Sequence, residues 1–272
     1  MIARLSDGGA LSYDVRGDGA PLLLLRPLGG SKALWGPFAE KLAEQHRVIS
    51  FDPRGVGDSS NALLSCSTRQ MARDAEALLD HLAVPRAHVF GLSLGGMVAS
   101  WLAVDSAARI DRLVLASTLP TVGDVPARGW RRLFELSRCM LHPGVRAELC
   151  AVRRVLSHEF RRTQPARMDE IEAAVRAHPT KRRNLILLTL AASGHHLGSA
   201  WSAVHTPTLV LMGGHDPIVG ERARDDLLLH LPGASLEVIE RSGHDLSLEQ
   251  PAETAARTLA FLRQSARGLP NR

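Results

Sequence analysis

The chain has 272 residues, of which 45% are hydrophobic, and this length allows a full core in one domain with an insertion. No apolar run approaches the roughly 20 residues of a membrane-spanning helix, and the first residues lack the layout of a signal peptide. Three scattered cysteines, Cys66, Cys139 and Cys150, indicate neither a disulfide framework nor a metal site. We therefore expect a cytoplasmic protein that does not associate with membranes.

The formal charge of +5 is distributed unevenly along the chain. Residues 128–183 contain 14 Lys and Arg against 6 Asp and Glu, a net charge of +8, so the remainder has a net charge of −3. This stretch is either a solvated, arginine-rich helical surface or a basic surface that attracts an anionic substrate or a carrier protein. Nucleic-acid binding is not expected, because no recognised motif accompanies the charge and only 4% of residues are aromatic.

Strand and helix patterns alternate in the first half of the chain. The predicted strands are residues 11–15, 21–26, 47–52, 86–90 and 112–117, and the predicted helices are residues 32–44, 68–82 and 96–104. Continuous apolar strands that alternate with helices predict a parallel sheet with both faces covered.

This alternation stops between residues 120 and 204, where an arginine-rich, helix-like stretch contains four prolines and no strand pattern. Strand patterns return at residues 207–212 and 236–239, and residues 253–262 form a last helix pattern. We predict a core of residues 1–120 and 205–272, with residues 121–204 inserted as a helical lid.

The sequence Gly91-Leu-Ser-Leu-Gly95 lies between a strand pattern and a helix pattern with little charge. In this context G-x-S-x-G predicts a nucleophile elbow, a sharp strand-to-helix turn that exposes a serine hydroxyl. The strained turn leaves room only for small residues two positions from the serine. Ser93 is therefore the predicted nucleophile.

A serine nucleophile needs a base within hydrogen-bond distance and a third group that orients the base. Asp216 follows the strand pattern 207–212 and His244 follows the last strand pattern, in the chain order serine, acid, histidine. Asp216 could instead cap a helix beginning near Ile218. We expect Asp245 to cap a helix or anchor a loop. The most plausible of the eleven rival histidines are His195, His196 and His215, none of which follows the final strand.

An acyl-transfer site also needs hydrogen-bond donors for an oxyanion. The amide of Leu94, next to the nucleophile, is one candidate. The second is expected from the loop 26–31, where Pro27 has no N–H group and Leu28 is the next residue. The alternative for this loop is a simple glycine-rich turn.

Five pieces of the sequence together resemble the α/β-hydrolase superfamily. They are Leu28-Gly-Gly-Ser31, Phe51-Asp-Pro-Arg-Gly-Val-Gly-Asp-Ser59, Gly91-Leu-Ser-Leu-Gly-Gly96, Gly214-His-Asp-Pro217 and Ser242-Gly-His244. The resemblance implies an α/β fold with a mostly parallel eight-stranded sheet, helices on both faces and a helical lid after the sixth strand. It also implies that Asp52 and Arg54 organise a structural turn. Within the superfamily, Asp52-Pro-Arg-Gly55, Ala87-His-Val-Phe-Gly-Leu-Ser93 and Leu248-Glu-Gln-Pro251 are most similar to enol-lactonase-like esterases.

One position departs from the superfamily pattern. Arg26-Pro27 stands where His-Gly usually precedes the oxyanion residue. Arg26 is therefore either a cation at the edge of the pocket, which would bind substrate, or a partner in a structural ion pair. Trp130 and His195 in the predicted lid are further candidates for substrate binding, with lid packing as their alternative role.

These residues predict a serine hydrolase that cleaves an ester or lactone of a small substrate through an acyl-Ser93 intermediate. The substrate is anionic if the basic stretch or Arg26 binds it. A lyase or cyclase of secondary metabolism is the first alternative, and a small-molecule receptor without catalysis is the second. The sequence shows no metal spacing, phosphate loop or dinucleotide fingerprint, so we expect no cofactor and no metal. The expected partner is a small ester, lactone or acylated molecule, and the expected assembly is a monomer or homodimer.

Overall fold

The structure, a computed structural model, describes residues 1–121, 123 and 127–264. Within the helix Ala127–Cys139 the side chains of residues 127–130, 132 and 133 lie outside this description. The strands are β1 (Ile2–Arg4), β2 (Ala10–Arg16), β3 (Ala20–Leu25), β4 (His46–Phe51), β5 (Ala87–Leu92), β6 (Ile110–Ala116), β7 (Thr208–Gly213) and β8 (Ser235–Ile239).

Helices of the core precede and follow a group of helices between β6 and β7. The helices are α1 (Gly36–Ala43), α2 (Thr68–His81), α3 (Leu94–Asp105), α4 (Ala127–Cys139), α5 (Val145–Val155), α6 (His158–Thr163), α7 (Pro165–Ala177), α8 (Arg182–Ser193), α9 (Glu221–His230), α10 (Leu246–Glu249) and α11 (Pro251–Leu262).

The eight strands form one sheet in the order β1-β2-β4-β3-β5-β6-β7-β8. The pairs β1–β2 and β2–β4 are antiparallel, and all later pairs are parallel. The predicted α/β fold with a mostly parallel eight-stranded sheet is therefore confirmed. Parallel strands end at one edge of the sheet, so the loops after β3, β5, β7 and β8 lie along that edge.

Both faces of the sheet are covered, and β3 shows how its sequence produces this arrangement. Leu23 and Leu25 belong to the core cluster that includes residues of α2 and α3, whereas Leu22 and Leu24 belong to the cluster of α1 and α11. Alternate side chains of a strand point to opposite faces of the sheet, so a continuous leucine run fits a strand that is buried on both faces.

Three elements differ from the expectation. Residues 32–44 form a short 3₁₀ turn and then α1, because Gly36 adopts a φ of 37° between them. The helix expected near Ile218 begins at Glu221. The short edge strand β1 has no strand prediction, since its three residues are too few for an alternating pattern to be visible.

The chain between β6 and β7, which we call the helical segment, contains α4 to α8. Pro165 stands in the first turn of α7, where its missing N–H group leaves no hydrogen bond unmade. The helices occur where the sequence predicts a lid, and the boundaries 121–204 of that lid stay a prediction.

The helical segment contains a disulfide between Cys139 and Cys150. The expectation that the cysteines form no disulfide is therefore wrong. Packing of α4 against α5 brings the two Cα atoms to 5.5 Å, a separation that a disulfide needs and that spacing along the chain does not reveal. Cys66 remains as a free thiol.

Candidate active site

Ser93 occupies the turn between β5 and α3. Its backbone has φ 54° and ψ −118°, a conformation that is strained for a residue with a side chain. The amide of Ser93 donates to the carbonyl of Ala116, while the hydroxyl of Thr118 donates to the carbonyl of Ser93 at 2.8 Å. Contacts on both sides hold the serine in this geometry, which is that of the predicted elbow.

The two glycines around Ser93 are required by close backbone contacts. A Cβ atom on Gly91 would lie 2.4 Å from the carbonyl oxygen of Gly95. A Cβ atom on Gly95 would lie 2.0 Å from the carbonyl oxygen of Leu25 and 2.9 Å from that of Arg26. The end of β3 therefore lies directly against the first turn of α3.

Asp216 and His244 form a hydrogen-bonded chain with Ser93. Nδ1 of His244 lies 2.8 Å from Oδ2 of Asp216, and Nε2 of His244 lies 2.8 Å from Oγ of Ser93. The sequence separations of these pairs are 28 and 151 residues, so folding of the sheet brings the three together. The side chains of His244 and Asp216 are buried.

Asp216 does not cap a helix, since α9 begins only at Glu221 after Gly220, but its carboxylate fixes the turn that precedes this helix. Its Oδ1 atom accepts the amides of Ile218 at 2.8 Å and Val219 at 3.0 Å, while Oδ2 faces His244. The two roles are compatible because a carboxylate has two oxygens. The two turn amides fix the carboxylate, and the carboxylate orients the imidazole.

The charges around His244 favour its protonated form. Burial lowers the pKa of His244, but the carboxylates of Asp216, Asp245 and Glu249 outweigh this effect and hold the pKa above its ordinary value. A histidine with a raised pKa is a stronger base toward a hydroxyl proton.

The backbone amides of Leu28 and Leu94 are the donors predicted for an oxyanion. In the described part of the chain, neither amide N–H donates to another group. Leu94 is the first residue of α3, so its amide points out of the helix N-terminus. The contact of Gly95 with Leu25 and Arg26 places the start of the Leu28 loop beside this terminus.

Arg26 is enclosed by protein. Its Nη2 atom donates to Oδ2 of Asp245 at 2.9 Å, and its guanidinium lies 4.5 Å from the ring centroid of Trp35. Only 2% of its side chain is exposed. These contacts match the ion-pair alternative for Arg26, and they leave no open charge for the substrate-binding role that the sequence also suggested.

Of the two predicted substrate contacts in the helical segment, Trp130 has its side chain outside the described residues. His195 is buried, and its Nδ1 lies 2.9 Å from the hydroxyl of Thr68 at the start of α2. Burial, with a smaller effect of His196, lowers the pKa of His195 to about 4, so it is neutral at pH 7. None of its contacts in the described structure joins it to Ser93 or His244, and its substrate role stays a prediction.

Sequence reasoning missed Glu249, a buried carboxylate beside the His244 loop. Its Oε1 atom accepts the amide of Ser157 at 2.9 Å, and a Cβ atom on Gly243 would lie 2.5 Å from the same oxygen. Burial raises the pKa of this carboxyl group. The sequence contained one signal, since Glu249 lies within the motif Leu248-Glu-Gln-Pro251, but the motif does not reveal what the carboxylate contacts.

The described residues lack the features of two other classes of function. No group of three or more His, Cys, Asp or Glu side chains in them lies close enough to bind a metal ion. No helix there is long and apolar enough to cross a bilayer.

Comparison with known proteins places this fold in one family. Residues 20–138 match the model of the alpha/beta hydrolase fold. A protein of Variovorax paradoxus that carries the name carbamate hydrolase RutD is 34% identical over 96% of this chain and 99% of its own. The chain belongs to the α/β hydrolases.

Two further relatives of this α/β hydrolase agree. 3-Oxoadipate enol-lactonase 2 of Acinetobacter baylyi is 27% identical over 89% of each chain. The crystal structure of a hydrolase from Pseudomonas aeruginosa superposes with a TM-score of 0.83 at 26% identity and covers 97% of this chain and 98% of its own. The resemblance drawn from the motifs is thus confirmed, and the protein is a hydrolase of this fold.

Proposed function

We propose that this α/β hydrolase cleaves a small ester or lactone through an acyl-Ser93 intermediate. Oγ of Ser93 attacks the carbonyl carbon while Nε2 of His244 takes the hydroxyl proton, and Asp216 stabilises the resulting imidazolium. The carbonyl oxygen becomes an oxyanion, which accepts hydrogen bonds from the amides of Leu28 and Leu94.

Collapse of this intermediate breaks the bond to the leaving oxygen, which takes the proton from His244. A water molecule then gives a proton to His244 and attacks the acyl carbon. When the second tetrahedral intermediate collapses, His244 returns this proton to Oγ of Ser93 and a carboxylic acid is released. For a lactone the leaving oxygen stays attached to the acyl chain, so one hydroxy acid is the product.

The observation that carries the proposal is the chain of two 2.8 Å contacts from Ser93 through His244 to Asp216. It supports nucleophilic catalysis because a serine hydroxyl is a poor nucleophile without a base. The free amides of Leu28 and Leu94 add donors for an oxyanion that a binding protein does not need.

The surroundings of Ser93 favour a neutral, apolar acyl group. The charge of Arg26 is matched by Asp245, and the carboxylates of Asp216 and Glu249 are close enough to raise the pKa of His244. Partly buried Leu28, Leu136 and Val155 pack against the core cluster that contains Leu94. We therefore assign an uncharged ester or lactone as the substrate class, with the helical segment as the lid over it.

Carbamate hydrolysis is the second candidate, and the observation that favours it is the 34% identity to the protein named carbamate hydrolase RutD. A carbamate presents the same kind of carbonyl carbon to Ser93, so the same residues would act. A lyase or cyclase reaction on an acidic substrate is less favoured, because the ion pair with Asp245 leaves Arg26 unavailable to such a substrate.

Labelling with a fluorophosphonate probe tests the nucleophile. We expect one equivalent of probe on Ser93, located by peptide mass spectrometry, and no label after Ser93→Ala. The same variant should lose p-nitrophenyl butyrate turnover by about 10⁴-fold or more. Ser100→Ala is the matched control, because Ser100 lies on α3 and its hydroxyl, among the described residues, donates only to the carbonyl of Gly96. A wild-type chain that takes no label would overturn the proposal.

Label from ¹⁸O-water separates hydrolysis from the other reactions. Acyl-enzyme hydrolysis puts one solvent oxygen into the product carboxylate. Elimination with alkyl–oxygen cleavage puts none there. A p-nitrophenyl carbamate and p-nitrophenyl butyrate have the same leaving group. The ratio of their kcat/KM values therefore measures whether the site prefers a carbamate or an ester carbonyl.

A further inference from the structure

A buried ion pair joins the two loops on which the proposed reaction depends. Arg26 directly follows β3 and stands two residues before Leu28, the proposed oxyanion donor. Asp245 directly follows His244, the proposed base. Nη2 of Arg26 donates to Asp245 at 2.9 Å, and Nη1 donates to the hydroxyl of Ser247 at 3.1 Å. These bonds span 219 and 221 residues of sequence, so they connect distant parts of the chain.

The bonds around this pair hold each group in one orientation. Oδ1 of Asp245 accepts the hydroxyl of Ser247 at 2.6 Å and the amide of Leu248 at 3.2 Å, which leaves Oδ2 for Arg26. The guanidinium of Arg26 stacks on Trp35, and both residues are buried. In such a low-dielectric environment, separating a charged group from its partner costs considerable free energy.

The same guanidinium packs under the oxyanion loop. A Cβ atom on Gly30 would lie 2.9 Å from Nε of Arg26, so the loop backbone rests on the arginine side chain. Gly29 in this loop has φ 72°, and glycines give a loop conformational freedom that other contacts must restrict. The arginine side chain therefore packs against the loop and, through its ion pair, connects it to Asp245.

We propose that Arg26 and Asp245 are positioning residues that hold the Leu28 amide and the His244 imidazole at a fixed separation around Ser93. The proposal rests on the function proposed above and assigns this pair no contact with reacting atoms. The physical reason is that oxyanion donor and base must fit one tetrahedral intermediate, and a misplacement of about 1 Å can cost about 100-fold in rate.

The test compares Arg26→Gln, Asp245→Asn and the double variant in p-nitrophenyl butyrate hydrolysis, with active sites counted by fluorophosphonate. We expect kcat per labelled site to fall about 10- to 100-fold in each single variant, with KM changed by less than about threefold. Because the two residues act as one unit, the double variant should lose no more than the worse single variant. Arg26→Lys should recover part of kcat, since it restores the charge with a single bond to Asp245.

The matched control is the buried pair of Arg54 with Asp74, which joins the loop after β4 to α2, on the sheet face opposite Trp35. Asp74→Asn should lower the melting temperature while kcat per labelled site stays within about twofold of wild type. If Asp245→Asn does not fold, Ser247→Ala removes one of the two bonds of Arg26 and should lower kcat to a smaller extent.

Failure of the positioning role and failure of the proposed function give different results. The positioning role is overturned if Arg26→Gln and Ser247→Ala lower the melting temperature but keep wild-type kcat and phosphonate labelling rate. Absence of any label on the wild-type chain would instead refute the nucleophilic function on which the role depends. The labelling rate of the wild-type chain therefore has to be measured first.

Discussion

Glu249 accepts a hydrogen bond from the backbone amide of Ser157 at 2.9 Å, across 92 residues of sequence. Its carboxylate also packs against Gly243, the residue before His244, where a Cβ atom would lie 2.5 Å from Oε1. The amide of His244 in turn donates to the carbonyl of Val155 at 3.1 Å. The junction of α5 and α6 is thus bound to the loop of the proposed base, and Glu249 is the side chain that both sides share.

This contact leads to a prediction about pH. Only neutral His244 can take the proton of Ser93, so kcat/KM should fall as the pH falls through the His244 pKa. Because that pKa is held above the ordinary 6.5, the midpoint of the acid limb should lie above pH 6.5. Glu249→Gln keeps the acceptor oxygen but removes a charge that raises the pKa, so the limb should move to lower pH.

A pH profile of kcat/KM for p-nitrophenyl butyrate measures this limb. Glu253→Gln on the exposed side of α11 is the control and should leave it unchanged. A Glu249→Gln limb that coincides with the wild-type limb, or that moves to higher pH, would contradict the electrostatic role.

The elbow glycine Gly95 leads to a prediction about stability. Gly95→Ala places a methyl group 2.0 Å from the carbonyl oxygen of Leu25, so the end of β3 and the start of α3 must separate. We expect a loss of at least about 2 kcal/mol in the free energy of unfolding, measured by urea denaturation, together with a lower kcat. Gly233→Ala is the control, because a Cβ atom there meets nothing within 4 Å.

The substrate charge leads to a third prediction. With Arg26 held by Asp245, p-nitrophenyl butyrate should have a kcat/KM at least about 10-fold above that of its carboxylated analogue, p-nitrophenyl hemisuccinate. Both esters share a leaving group and a four-carbon acyl chain, so the comparison isolates one negative charge. A preference for the hemisuccinate would contradict the assignment of a neutral substrate.

The cysteines lead to a fourth prediction. In the non-reduced native protein, iodoacetamide should find no fast-reacting thiol, because Cys139 and Cys150 are bonded and burial raises the Cys66 pKa to about 11. In denaturant, mass spectrometry should count one alkylated cysteine without reductant and three with it. Three labels without reductant would contradict the disulfide. Cys150→Ser should destabilise the α4–α5 pair by about 2 to 3 kcal/mol.

The main architecture could be predicted because it depends on local patterns. The leucine run of β3 and the amphipathic pattern of α2 each show their periodicity within one element. The residues Ser93, Asp216 and His244 could be proposed together because each follows a predicted strand, and parallel strands end at one edge of the sheet. Which atoms meet, and at what distance, required the fold.

By itself, the sequence determined the fold class, the elbow around Ser93 and the order of the proposed triad. The tertiary structure alone decided the partners of Arg26, the hydrogen bond between Glu249 and Ser157 and the pairing of Cys139 with Cys150. The physical reason is the range of the interactions. Periodicity and turn chemistry act over a few residues, whereas an ion pair across 219 residues forms only after the sheet brings both loops to one edge.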